Sequence, residues 1–226
     1  MATTKIDKKA LEEPDKLQLF FLNIREFINK HRSRIYTVTG IFVAVVLLAG
    51  GWYLYQLNYE TSAGKVYTRI LETAMKTPSP AGDPAAISGY KGLIARYPRS
   101  RAATTAYYRL GNLYFDRNEV DSAITAYRDF LLKAPSNSDL VTLAYNELGS
   151  CYESKKDFNK AIESYEMAMQ SKMASSFDAL TYGGIARVYE KMNNPTKATE
   201  FYQKALGKTK DPLMTLYLKR KIALLG

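Results

Sequence analysis

The chain has 226 residues, and its 32 Lys and Arg side chains against 22 Asp and Glu side chains give a formal net charge of +10. Positive and negative side chains alternate instead of gathering in a block, which argues against a nucleic-acid-binding surface. The only histidine, His31, and the only cysteine, Cys151, exclude an intrachain disulfide framework and a histidine-based triad or metal site beyond residue 31. We therefore expect no enzyme, no cofactor and no small-molecule substrate.

Residues 1–34 are predicted to form a lead segment. Residues 1–14 are polar and of mixed charge, which is typical of disorder. Over residues 15–30, apolar side chains recur at helical spacing and predict an amphipathic helix. This helix either lies on the membrane surface or docks a membrane partner, and both interpretations stay open. Its apolar side chains are Leu17, Phe20, Phe21, Ile24, Phe27 and Ile28.

Residues 35–59 contain no charged side chain and are long enough to cross a membrane as one helix. Trp52, Tyr53 and Tyr55 stand near the end of this stretch, where aromatic rings anchor a span in the headgroup region. The alternatives are a buried core helix and a cleaved signal peptide. The charged lead is too long for an ordinary signal peptide, so we predict an uncleaved single-pass anchor.

The charges that flank this stretch predict its orientation. Lys30, Arg32 and Arg34 abut its start, whereas the first charged residue after it is Glu60. Positive flanks remain in the cytoplasm. We therefore predict a cytoplasmic N-terminus and a C-terminal domain on the opposite side of the membrane, with a helix continuing outward over residues 59–76 and a loop over 77–84.

Residues beyond this loop repeat one motif three times. Each copy has the form Tyr-x2-aliphatic-small-x2-Tyr, then eight residues, then Ala-x3-Tyr. The spacing is typical of two packed helices, with small residues where the backbones approach and asparagines Asn118 and Asn193 in the turns. The copies begin at Tyr107, Tyr145 and Tyr182, and their second halves begin at Ala123, Ala161 and Ala198.

This pattern resembles the tetratricopeptide repeat (TPR), a helix-turn-helix unit of about 34 residues. The resemblance implies an all-α fold, in which a single N-terminal transmembrane helix precedes an α-α superhelical array. Leu216, Leu218, Ile222 and Leu225 are expected to pack a capping helix against the last unit. The predicted divisions are a degenerate unit over about 60–100, repeats over 104–137, 142–175 and 179–212, and a cap over 213–226.

In TPR arrays the first helix of each pair lines the groove that binds partners. The resemblance therefore implies a groove of aromatic, amide, hydroxyl and charged side chains, unless these are ordinary solvated positions. Only Arg109 and Arg187 are basic, which argues against a clamp for acidic C-terminal tails. The candidate groove residues are Tyr108, Arg109, Asn112, Phe115, Asn146, Ser150, Arg187 and Glu190.

Phe20-Phe21 precedes the apolar stretch and Gly51-Trp52-Tyr53 lies at its exit; the segment Ala63 to Ala74, the corner Tyr97-Pro98-Arg99-Ser100 and the first full repeat follow. With these features, the whole layout is similar to the ancillary SecYEG translocon subunit (YfgM-like) family. The resemblance implies a scaffold on the periplasmic face of the bacterial inner membrane, linking the Sec translocon with periplasmic chaperones or emerging polypeptides. An adaptor for envelope assembly, cell division or pilus machinery is the alternative, and an inverted orientation would make the protein a cytoplasmic scaffold.

Overall fold

A computed structural model describes residues 16–76 and 84–226, and every regular element in these two ranges is a helix. The predicted all-α fold is confirmed. The predictions of disorder over 1–14 and of a loop over 77–83 lie outside the described residues. The chain divides into two compact units, Met1–Leu57 and Asn58–Gly226.

Helix α1 extends from Lys16 to Lys76 without interruption. The sequence patterns suggested separate helices over 15–30 and 35–59, but the residues between them include no glycine or proline that would end a helix. In the first unit the apolar side chains of α1 are exposed, and Leu48 is 74% accessible. Helix α1 is a candidate membrane span, because it is long and apolar and none of its apolar window is buried.

The second unit contains the end of α1 and a series of shorter helices. Helix α2 begins at Pro84, whereas the predicted loop extends through residue 84. Proline fits the first position of a helix, so the helix includes it. A short 3₁₀ turn, Ala174–Ser176, precedes α7. The helices are α2 (Pro84–Arg96), α3 (Arg101–Asp116), α4 (Val120–Lys133), α5 (Asp139–Ser154), α6 (Phe158–Gln170), α7 (Asp178–Lys191), α8 (Pro195–Leu206) and α9 (Pro212–Leu225).

The helices pack as consecutive pairs, α3 with α4, α5 with α6 and α7 with α8. Each pair is joined by a short turn that holds one residue in the left-handed region, Asn118 (φ 60°), Lys156 (φ 59°) or Asn193 (φ 55°). Asparagine adopts this conformation more readily than other side chains do, as predicted for two of the turns. The lysine in the middle turn has no such preference.

Small residues allow the paired helices to approach closely. Ala123, Ala161 and Ala198 are fully buried between them. A Cβ atom added at Gly111 would lie 2.4 Å from the ring of Tyr127, so only glycine fits beside that ring.

The first helices of successive pairs lie closer to each other than the second helices do: α3 contacts α5, and α5 contacts α7. We call the side of the array formed by α3, α5 and α7 the inner face. The side formed by α2, α4, α6 and α8 is the outer face. The end of α1 packs against α2 and completes a fourth pair through Ala63, Ile87, Tyr90 and Leu93.

Helix α9 covers the end of the array. Leu218 is fully buried, and Ile222 and Leu225 pack beside it against α8. Leu216 was expected to pack inward as well, but it is 68% exposed. Apolar residues occur on more than one side of α9, so spacing alone did not identify the side that packs.

Candidate functional site

Three tyrosines connect the two layers of the array. Tyr127, Tyr165 and Tyr202 are each almost completely buried and lie at equivalent positions of the second helices α4, α6 and α8. We call these residues the tyrosine row. The rings of Tyr127 and Tyr165 lie against Gly111 and Gly149 of the paired first helices, and Tyr202 belongs to one packed cluster with Ala186 of α7. The hydroxyls thereby reach side chains near the inner face.

The hydroxyls of the tyrosine row bond to several of the predicted groove residues. The Tyr127 hydroxyl donates to Oδ1 of Asn112 at 2.7 Å, and the Tyr165 hydroxyl lies 3.2 Å from Oγ of Ser150. The Tyr202 hydroxyl donates to Oε2 of Glu190 at 2.7 Å. These three groove residues therefore also support the fold, because each satisfies a buried hydroxyl.

Two aromatic residues of the predicted groove pack into the core. Tyr108 is only 7% exposed, and its ring lies against Tyr127 and Phe130 at centroid distances of 5.8 and 5.6 Å. Phe115 is partly buried against the same core. The fold thus uses the apolar area of both rings internally, although their role in binding remains a prediction.

Two further polar groove residues make hydrogen bonds within the fold. Nε of Arg109 donates to the hydroxyl of Tyr67 on α1 at 3.1 Å. Asn146 is only 3% exposed, and its Nδ2 donates to the carbonyl of Thr142 at 2.9 Å. Oδ1 of Asn146 is buried and accepts no hydrogen bond within the described part of the chain. Such an acceptor stays energetically unfavourable until a donor reaches it.

Arg187 joins helix α7 to α5 through Glu153. Its guanidinium donates to the Glu153 carboxylate at 3.1 and 3.3 Å and to the Tyr165 hydroxyl at 3.2 Å. Lys191 lies 3.0 Å from the same carboxylate. Burial alone would raise the pKa of Glu153, but the bonds and charges of Arg187 and Lys191 outweigh it and lower that pKa.

A second ion pair closes the end of the inner face. Nζ of Lys221 on α9 lies 2.8 and 3.0 Å from the two carboxylate oxygens of Glu190. Arg187, Glu190, Lys191 and Lys221 line a cavity of about 260 Å³ there. Sequence reasoning missed both lysines. Lys191 follows Arg187 by one helical turn and could have been found, but Lys221 belongs to a helix whose position only the fold reveals.

Glu147 also faces this region from α5, and sequence reasoning missed it. Burial raises the pKa of Glu147, and the nearby Asp116 carboxylate adds to that effect, whereas Arg187 opposes it. The side chain makes no hydrogen bond or ion pair with the described residues. The pKa is raised because the partly buried carboxylate has no bonded cation and the effect of Arg187 is smaller than that of burial and Asp116 together.

The thiol of Cys151 does not contribute reactive chemistry to this face. Its side chain is fully buried in the core, and burial raises its pKa to about 12. A thiol with this pKa is almost entirely protonated at neutral pH and is a poor nucleophile. Within residues 16–76 and 84–226, no group of His, Cys, Asp and Glu side chains is arranged to hold a metal ion.

The predicted membrane-anchor residues belong to the first unit. Trp52, Tyr53 and Tyr55 are 65%, 67% and 60% exposed on α1. The rings of Trp52 and Tyr55 lie one helical turn apart with their centroids 6.0 Å from each other. Exposed aromatic rings at one end of an apolar stretch suit a headgroup region, and their role as anchors remains a prediction.

A family model described as a tetratricopeptide repeat-like domain matches residues 25–226. This chain belongs to the tetratricopeptide repeat-like domain family. The match begins ahead of the apolar stretch at 35–59, so it includes the candidate span together with the helix pairs. Domains of this TPR type generally serve as non-catalytic scaffolds for protein–protein interaction, and the fold supports that role here.

Solved structures show the same fold. A structure titled crystal structure of MamA protein is 22% identical, with a TM-score of 0.56, over 72% of this chain and 81% of that one. Pseudomonas aeruginosa pilF is 18% identical, with a TM-score of 0.57, over 74% of this chain and 69% of that one. At these identities the likeness concerns the fold alone. The comparison with curated proteins finds no match.

Proposed function

We propose that this protein is a single-pass, membrane-anchored TPR scaffold that binds segments of other proteins on its inner face. The observation that carries the proposal is the inner face itself. Side chains of successive first helices present amide, hydroxyl and charged groups along it, and a cavity lined by Arg187, Glu190, Lys191 and Lys221 lies at one end. Extended or helical peptides are recognised by such combinations of polar groups and shape.

Helix α1 supports membrane anchoring. Between residues 35 and 57 its large apolar residues are exposed on every side, and a helix that is apolar on every side is not stable in water. A stretch of about 20 such residues crosses the hydrocarbon core of a bilayer. We place residues 1–34 in the cytoplasm and residues 60–226 in the periplasm, because Lys30, Arg32 and Arg34 flank the start of the span.

Within this proposal, the partners are subunits of the Sec translocon together with periplasmic chaperones or emerging polypeptides. The resemblance to the YfgM-like family, which is carried by Phe20-Phe21, Gly51-Trp52-Tyr53 and the corner at 97–100, supports this choice. A periplasmic scaffold beside the translocon would meet many different clients. An adaptor for one envelope machine would instead hold a few defined partners.

Fusion of alkaline phosphatase to Gly226 tests the orientation. The enzyme is active only outside the cytoplasm, so we expect an active fusion. A fusion of green fluorescent protein at the same residue is the matched control, because it fluoresces in the cytoplasm and not after export through the Sec pathway. An inactive phosphatase fusion together with a fluorescent green fluorescent protein fusion would show that the proposed orientation is wrong.

Photo-crosslinking in cells tests the partners. A photoreactive residue at Lys191, which is exposed beside the inner-face cavity, is expected to capture translocon subunits and a variety of secreted proteins. The same residue at Lys172, exposed between α6 and α7, is the matched control and should capture few. A single dominant partner from one envelope complex would favour the adaptor, and equal capture at both positions would refute binding on the inner face.

A further inference from the structure

The outer face of the array contains two cavities that repeat with the helix pairs. The first outer cavity, of about 410 Å³, lies between α2 and α4, and the second, of about 320 Å³, lies between α4 and α6. The first helix of the pair forms the floor of each, with a Tyr, a Leu and a Tyr three and four residues apart. These floors are Tyr107, Leu110 and Tyr114 in the first cavity, and Tyr145, Leu148 and Tyr152 in the second.

In the third helix pair, a side chain of the protein itself covers the equivalent floor. Phe201 of α8 lies between Tyr182 and Tyr189, with ring centroids 6.2 and 5.6 Å away, and it stacks on Tyr189. These two tyrosines are the third copy of the floor. Offset and tilted ring pairs at such distances are favourable beyond their area of contact.

The pairs differ in the side chain of the second helix that faces this floor. The residue directly before each member of the tyrosine row is Ala126 in α4, Ser164 in α6 and Phe201 in α8. Ala126 and Ser164 line the two outer cavities. Ala126 and Ser164 are equivalent to Phe201, so each outer cavity includes the space into which an aromatic ring at that position would project.

Cations stand on the aromatic lining of both openings. At the first, Nζ of Lys133 lies 5.6 Å from the ring centroid of Tyr107, and the carboxylate of Asp129 also lines the cavity. Nζ of Lys91 lies 5.6 Å from the ring centroid of Tyr114 at the first cavity. At the second, Nη2 of Arg128 donates to the Tyr152 hydroxyl at 2.7 Å, and Nζ of Lys160 lies 5.6 Å from the Tyr152 ring. Glu163 lines the second cavity, and Asp157 lies 2.7 Å from Nζ of Lys160. Arg128 is thus the cation at this cavity that has no ion pair among the described residues.

We propose that the outer face between α2 and α6 docks a segment of a partner protein that inserts an aromatic side chain, flanked by carboxylates, into these cavities. The ring takes the position that Phe201 occupies in the third pair, and the carboxylates face Lys91 at the first cavity or Arg128 at the second. This surface is separate from the inner face. The protein can thus hold a second partner while the inner face is occupied.

The peptide acetyl-Glu-Phe-Glu-amide is a suitable probe, with the full chain held in lipid nanodiscs. We expect it to shift the methyl resonances of Ala126 and Leu110 in a saturable way. The peptides acetyl-Glu-Ala-Glu-amide and acetyl-Lys-Phe-Lys-amide are the matched controls, and we expect each to bind at least about tenfold more weakly. Equal binding of all three peptides, or shifts confined to the inner face, would overturn the proposal.

Filling the cavities provides the second test. Ala126→Phe and Ser164→Phe together should copy the third pair, so we expect at least about tenfold weaker binding of the Glu-Phe-Glu probe with an unchanged helical circular dichroism spectrum. Unchanged binding by the folded double variant would refute the proposed site.

A variant at the rim decides the question if the double variant does not fold. Lys91 is exposed, so Lys91→Glu leaves the core intact while it reverses the charge at the first cavity. We expect this variant to weaken Glu-Phe-Glu and to strengthen Lys-Phe-Lys at the Ala126 and Leu110 methyls. The absence of both changes would contradict the proposed contact. Neither result depends on whether the inner face binds translocon partners.

Discussion

At the scale of single residues, the fold depends on where glycine stands beside a tyrosine. Tyr165 is held between two glycines, because a Cβ atom at Gly149 would lie 2.6 Å from its ring and one at Gly184 2.5 Å. The ring cannot move aside without loss, since it is 1% exposed and its hydroxyl bonds to Ser150, Glu153 and Arg187. The repeat motif predicts a small residue at Gly149, and only the packing explains why Gly184 must be small as well.

We expect Gly149→Ala to lower the free energy of unfolding by about 1–3 kcal/mol, since overpacking against Tyr165 exceeds the gain in helix propensity. Urea unfolding followed by circular dichroism would measure this change. Gly92→Ala is the matched control, because no atom lies within 4 Å of its added Cβ on α2. That variant should be neutral or up to about 1 kcal/mol more stable. A stabilised Gly149→Ala would show that Tyr165 has room to move.

At the scale of one helix, α5 carries two glutamates whose pKa values shift in opposite directions. The pKa of Glu153 lies below its ordinary value of 4.5, so its contribution to stability is present above that pH and is lost as the pH falls through the folded-state value. The pKa of Glu147 lies above 4.5, so its contribution is present below that pH and is lost as the pH rises through the folded-state value. The partners on α3 and α7 produce this difference.

We therefore expect Glu153→Gln to lower the urea midpoint at pH 7 and Glu147→Gln to raise it. Both variants should approach the wild-type midpoint as the pH falls below 4.5, because protonated glutamate and glutamine are both neutral. Unfolding curves at several pH values between 3 and 7 would test this, and each variant controls for the other on the same helix. Changes of the same sign at pH 7 would contradict the assigned environments.

Helix α9 provides another test at this scale, because Leu218 and Leu216 differ in burial but not in chemistry. Leu218 is fully buried against α8, whereas Leu216 is 68% exposed. We expect Leu218→Ala to lower the free energy of unfolding by about 2–5 kcal/mol. The matched Leu216→Ala should change it by less than about 0.5 kcal/mol. Equal effects in urea unfolding would mean that α9 packs through a different side.

At the scale of the whole molecule, the question is where the chain resides. Arginine at the centre of a span costs about 2.5–3.5 kcal/mol per residue, so Val45→Arg with Leu48→Arg should release the protein from membranes washed with alkaline carbonate. The matched control, Thr37→Arg with Thr39→Arg, adds the same charge near Arg34, where long side chains reach the headgroups, and should stay in the pellet. Membrane retention of the Val45 and Leu48 variant would argue against the span.

The amino-acid sequence was sufficient to predict the all-α fold and the repeat family. Both follow from local spacing, since the positions of Tyr107, Gly111 and Ala123 recur with each helix pair. The apolar stretch at 35–59 likewise identified the candidate span from length and composition. The sequence patterns did not predict that α1 would be one continuous helix. Residues 31–34 contain no glycine or proline, and the position of a helix end also depends on the residues that pack around it.

The tertiary structure alone decided which polar and aromatic groups are available for binding. Tyr108 lies on a first helix, as the groove prediction required, yet its ring contacts Tyr127 and Phe130 in the core. The outer cavities exist because Ala126 and Ser164 are small, whereas the equivalent residue of the third pair is Phe201. Such space is defined by side chains from three helices, and spacing along one helix contains no information about it.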